Sequence, residues 1–264
     1  MKRNFPSELV YQVFSLLIAF IIVHAFYVTL VRPQASAFLE QEAANMQADP
    51  AYVQQRSFWV VIKDYEQETC FVLMLWALAI LGYKGRLAFS QHRLLDQDLL
   101  RLPVNLPIGP EDTRELAARI TSLPRRLHHY LLPRALLTSI ERFGATRNVQ
   151  NVSTAARDVC DSEGERLESE LSIIRYIAWA IPSVGFIGTV RGIGDALGQA
   201  HRAVEGDITG VTASLGVAFN STFIALVISI VLMFFIHQLQ LMQERLVLDC
   251  ERYVDHWLVR RLKT

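Results

Sequence analysis

From Ile208 to Gln243 the chain carries no Asp, Glu, Lys or Arg. That run is longer than the roughly 20 apolar residues a helix needs to cross about 30 Å of hydrocarbon. Val10 to Val31 is a second uncharged run, with a single histidine, His24. A third lies between Arg175 and Arg191. The weakest, Thr69 to Tyr83, is short and is expected to recruit residues from Phe58 to Glu68, which places Glu66 and Glu68 near an interface and leaves Trp59, Trp76 and Tyr83 for the aromatic belt. A soluble domain would distribute its 52% hydrophobic residues in short periodic stretches rather than in runs of this length. The pattern predicts an all-α integral membrane protein with four transmembrane helices and long cytoplasmic helical extensions. Lys2-Arg3 and Ala35-Ser36-Ala37 imitate the flanks of a signal peptide. The first run far exceeds an h-region of about 7–15 residues, so it reads as a retained span.

Basic residues orient the spans. Lys2 and Arg3 precede the first run, and Lys84, Arg86 and Arg93 follow the second. Between those two runs Glu40, Glu42, Asp49, Asp64, Glu66 and Glu68 outnumber Arg32, Arg56 and Lys63. The expected topology has both termini cytoplasmic. It divides into an N-terminal two-span hairpin with an acidic periplasmic loop (1–83), a cytoplasmic helical segment (84–171), pore-forming third and fourth spans (172–243) and a cytoplasmic C-terminal helix (244–264). Within the cytoplasmic segment, Lys84 to Pro110 reads as irregular, with Pro103, Pro107, Gly109 and Pro110 as breakers. A helix is expected from Glu111 toward Leu123, with Pro124 and Pro133 interrupting the chain beyond it. Asn151 to Tyr176 reads as one amphipathic helix running into the third span.

Several functions are disfavoured. A formal net charge of zero argues against a nucleic-acid partner. Cys70, Cys160 and Cys250 form no CxxC pair and give neither a disulfide framework nor a zinc signature. His128-His129 lack ligands at metal spacing, so no metal is expected there. With no phosphate loop, nucleophile elbow or HExxH, no enzyme and no cofactor are expected.

The informative stretch is Ile181 to Gly194. At about 100° per residue, Ala178, Pro182, Gly185, Gly188, Thr189 and Gly192 fall within roughly 120° of one helix face, which is nearly free of bulk. Pro182 removes a backbone hydrogen bond and is expected to bend the helix. On the fourth run Ser214, Ala218, Ser221, Thr222, Ala225 and Ser229 share a similar sector, while Asn220 lies off it. Such stripes and the Gly188–Gly192 spacing serve close helix packing; matched stripes that each hold a threonine also fit a narrow path where hydroxyls relay ions or water. Asp and Glu are missing from both apolar cores. A carboxylate that titrates in such a path would then come from a partner. Arg191 and Asp195, one turn apart, are a candidate interfacial salt bridge. His24 reads as packed or interfacial; the sequence assigns His237 no role.

Leu167 to Ala178 followed by Pro-x-x-Gly-x-x-Gly-Thr-Val-x-Gly-Ile at Pro182 to Ile193, with Ser221-Thr222-Phe223-Ile224-Ala225-Leu226 in the last span, closely resembles the TolQ/ExbB/MotA proton-channel family. The resemblance covers roughly Asn151 to Thr264. It implies a homopentamer around single-span partner helices of the ExbD, TolR or MotB type, whose aspartate takes up and releases ions to drive rotation. It also implies that Thr189 and Thr222 are the pore threonines, with Pro182, Gly185, Gly188 and Gly192 at bend and close-approach positions; the rest of the fourth-run stripe, Ser214, Ala218, Ser221, Ala225 and Ser229, is then expected along the ion path. Where TolQ and ExbB carry a glutamate five positions before the second threonine, this chain has Val217. Its four spans match MotA's count. The expected task is energising a cell-envelope process; a structural scaffold and the channel of a Zorya-like defence motor are the competing readings.

Overall fold

The computed structural model describes residues 5–48, 52, 55, 57–100 and 107–263, with side chains from residue 9 onward. Lys2, Arg3, Asp49, Arg56 and Pro103, which entered the topology and breaker arguments, lie outside the described residues. The described chain is helical: α1 (Phe5–Phe26), a π turn (Tyr27–Val31), α2 (Arg32–Ala48), α3 (Phe58–Val61), α4 (Tyr65–Leu95), α5 (Thr113–Thr121), α6 (Leu131–Thr146), α7 (Val149–Gly198), α8 (Ala200–Val204) and α9 (Thr209–Trp257). Among the described residues, four helical stretches are long and apolar enough to cross a membrane: Leu9–Ala48, Tyr65–Leu95, Val149–Gly198 and Thr209–Arg261.

Three local expectations need correction. α4 begins at Tyr65 and runs to Leu95, so of the expected extension only Tyr65 to Glu68 joins the helix, which also gains length beyond Tyr83, while Phe58 sits in the separate short α3. Lys84 to Leu95 is therefore helical and not irregular, because Lys84, Arg86 and Arg93 interrupt hydropathy without interrupting helix-forming capacity. Pro133 does not break a helix. It occupies the first turn of α6, where a missing N–H leaves no intrahelical bond unmade.

The chain divides into two compact units, one of residues 1–81 and 173–236, the other of 82–172 and 237–264. In the first, the tightest approaches are between small residues, and many large apolar side chains point outward: Phe14, Ile21, Phe186, Val190, Phe219 and Ile230 are all exposed, while Ile80, Ile181 and Leu232 are buried. Trp76 Nε1 donates to the Gln12 carbonyl at 2.9 Å and the Tyr11 hydroxyl donates to the Ala79 carbonyl at 3.0 Å.

The second unit has an ordinary hydrophobic core built on Leu116, Ile120, Leu136, Ile140, Phe143 and Val254. The backbone of Ile108 pairs with the chain's end, accepting from Lys263 N at 2.9 Å and donating to Arg261 O at 2.8 Å. Gln91 caps α6 by accepting from Leu131 N at 2.9 Å. Its buried charges are paired: Lys84 with Glu170 at 2.8 Å, and Glu163 with both Arg134 at 2.9 Å and Arg166 at 2.5 Å. Cys160 and Cys250 meet in this core as free thiols. The hydrogen bond that its thiol donates to Cys160, and then burial, push the Cys250 thiol well up.

Candidate ion path between the third and fourth spans

The sequence places glycine on α7 wherever α9 comes closest. A Cβ at Gly192 would stand 2.7 Å from Ser214 O and 2.8 Å from Ala218 N; at Gly185 it would stand 2.6 Å from Ala225 Cβ, and at Gly188 2.5 Å from Ser221 Cβ. Real Cβ atoms do not approach backbone this closely, so these glycines set the distance between the helices. The two stripes therefore face each other. Ala218, Ser221 and Ala225 are buried between them and act, within the chain, as contact surface.

α7 remains helical through Pro182. Proline has no N–H to give the carbonyl four residues earlier, that of Ala178. Ser229 Oγ donates to that carbonyl at 3.0 Å, so the freed acceptor is satisfied from the neighbouring helix. The role the structure gives Ser229 is backbone repair. Ser221 Oγ donates to Val217 O at 2.9 Å, and Ser214 Oγ accepts from Gln199 Nε2 at 3.1 Å.

Thr189 and Thr222 remain as the stripes' half-buried hydroxyls, and they contact each other directly. Thr189 Oγ1 also reaches Ala218 O at 3.1 Å and Gly185 O at 3.3 Å, while Thr222 Oγ1 reaches Gly185 O at 3.1 Å. Two hydroxyl protons thus face two carbonyls and each other. Either threonine can donate to its partner while the partner donates to a carbonyl, so the pair can reverse its polarity without charge separation. That is a neutral, reorientable polar spot inside an apolar wall.

Charged groups gather around the same helices from the N-terminal hairpin, as sequence reasoning did not foresee. Arg191 is held by Glu66 of α4 through two hydrogen bonds, Nε to Oε1 at 2.7 Å and Nη2 to Oε2 at 2.8 Å. Asp195, its expected partner, lies at 3.9 Å, the edge of ion-pair range. The expected ion pair is therefore present but long, because the i,i+4 aspartate is exposed, whereas Glu66 presents both oxygens to the guanidinium fork. His24 does not stand alone either. Its Nδ1 lies 2.7 Å from Glu68 Oε1, and Arg32 Nη2 donates to Glu68 Oε2 at 2.5 Å. Gln67 Nε2 donates to Ser221 Oγ at 3.4 Å. A signal existed: three apolar runs each carry or abut charged residues, with signs that compensate across runs.

Residues 129–252, which include both threonines and both stripes, match the sequence model of the MotA/TolQ/ExbB proton channel family. This stretch is thus similar to the MotA/TolQ/ExbB proton channel family. Searches of curated proteins and of solved structures gave no match. Helices α1 to α5, with Glu66, Glu68, His24 and Arg32, precede the stretch that matches the MotA/TolQ/ExbB model.

Proposed function

We infer that the chain is the channel-lining, stator-type subunit of an ion-driven motor, with protons as the expected ion. It would work as a homopentamer around a single-span partner of the ExbD, TolR or MotB type, in a bacterial inner membrane with both termini cytoplasmic. The carrying observation is the Thr189–Thr222 hydroxyl pair at the close approach of two helices whose apolar cores hold no carboxylate. A wall of this kind can solvate a passing charge but cannot itself bind and release a proton. The titrating group must then belong to another helix. The driven process on this reading is a cell-envelope task.

Thr222→Val and Thr189→Val test it. Each preserves shape and removes a hydroxyl, so each is expected to abolish ion-driven work, by about tenfold or more, while the purified complex keeps its subunit stoichiometry. Ion uptake by vesicles and mass photometry of the complex measure the two outcomes. Normal uptake in both variants refutes the assignment. A second reading, a structural scaffold, draws on the burial of Ala218, Ser221 and Ala225 between the stripes. It expects silent threonine variants and loss of assembly with Gly185→Leu.

A further inference from the structure

Arg191 lies two residues beyond Thr189 and three beyond Gly188 on α7. A guanidinium never loses its proton at physiological pH, so alone it would repel any cation approaching the two hydroxyls. The counter-charge arrives from another helix, 125 residues away in sequence. The Glu66 side chain is only 11% exposed, against 44% for Arg191, and both its oxygens are turned to the guanidinium. Glu66 also lies against the small stripe itself: a Cβ at Gly188 would come within 3.1 Å of Glu66 Cγ as well as reaching Ser221. The next residue, Gln67, is fully buried and reaches Ser221, beside Thr222. The first turn of α4 is thus built into the same stretch of α7 and α9 that carries the hydroxyl pair. Asp195 at 3.9 Å is the one other carboxylate, among the described residues, within ion-pair distance of Arg191.

We propose that Glu66 is the charge-compensating residue of the ion path, cancelling the field of Arg191 so that a cation can reach Thr189 and Thr222; this rests on the reading that ions pass beside those threonines. Glu66 acts through Arg191 and is a positioning residue in the electrostatic sense. An uncompensated unit charge about 10 Å from the path, at an effective dielectric of about 20, lowers the local cation population by roughly tenfold. Its sign distinguishes this role from that of a strut. Losing the carboxylate leaves a repelling charge, whereas losing the arginine leaves an attracting one.

The test uses the full-length chain purified with its bound partner and reconstituted in liposomes, with proton and sodium uptake read by indicator dyes under an imposed potential. Glu66→Gln is expected to lower uptake about tenfold. Arg191→Gln is expected to raise it severalfold, and the double variant to return near wild type. The Glu66→Gln deficit should shrink as external salt rises from about 0.01 M to 1 M, because the Debye length contracts from about 30 Å to about 3 Å. Equal losses in both single variants without recovery in the double overturn the proposal in favour of a structural bridge, as does an unaltered Glu66→Gln. If Glu66→Gln does not accumulate, a loss of uptake in Arg191→Gln is enough to overturn it. A wild-type complex that conducts neither ion refutes the parent reading instead, and with it this one, a result distinguishable because it involves no substitution.

Discussion

The two units of this chain solve the packing problem in opposite ways. The unit of residues 82–172 and 237–264 buries Leu, Ile and Phe in a contiguous core; the unit of residues 1–81 and 173–236 buries glycine, alanine and serine at its tightest contacts and turns its phenylalanines outward. In water, burying large apolar side chains is the main driving force. In lipid that force vanishes between helices, since the surroundings are as apolar as the side chains, and close approach of backbones takes its place. The contrast shows which solvent each part was shaped for.

The sharpest way to break this contrast is to place bulk where backbones meet. Gly192→Leu is expected to remove most of the folded protein: overpacking costs about 1–3 kcal/mol in a core that can yield, but here the added atoms meet Ser214 O and Ala218 N. Monodisperse yield in detergent measures it, and wild-type behaviour would end the case for backbone-limited packing. Next in size, Phe143→Ala in the second unit should destabilise by about 3–5 kcal/mol, whereas Phe186→Ala, on a residue 60% exposed, should change the melting curve little. Similar losses for both would erase the distinction between the units.

The smallest effect concerns Tyr253, whose hydroxyl donates to Gln97 O at 2.9 Å and accepts from Leu99 N at 3.1 Å. Tyr253→Phe should cost about 1–2 kcal/mol in chemical denaturation. Burial raises the pKa of this phenol above its ordinary value. The unfolded chain therefore releases the proton first as pH climbs above about 10, and the stability present below that pH is lost as it rises through the folded value. The phenylalanine variant should show a shallower loss in that range.

Uncharged runs were enough to find four helices, because hydropathy over about 20 residues is a local property. The continuous α7 was legible too, since Asn151 to Tyr176 keeps its helical period into the third run. The small stripes were legible as faces. Their partners were not: that Ser229 answers the carbonyl freed by Pro182 depends on a contact 51 residues apart. Glu66 meeting Arg191 is a still longer connection, invisible to any periodicity. α2 escaped notice because in Arg32 to Ala48 apolar residues such as Phe38, Leu39 and Met46 are scattered among polar ones and gather on no single face to detect.

The π turn at Tyr27–Val31 has a consequence for the helix that contains it. His24 and Arg32 are eight residues apart, which on an unbroken α-helix would set them about 80° around the axis from each other. A π turn takes up roughly one residue without advancing the rotation, bringing the pair close to the spacing of two full turns. Both can then grip the one carboxylate of Glu68. The wide turn works as a vernier: wind the same residues as regular α-helix, and its two hands no longer close on the same handle.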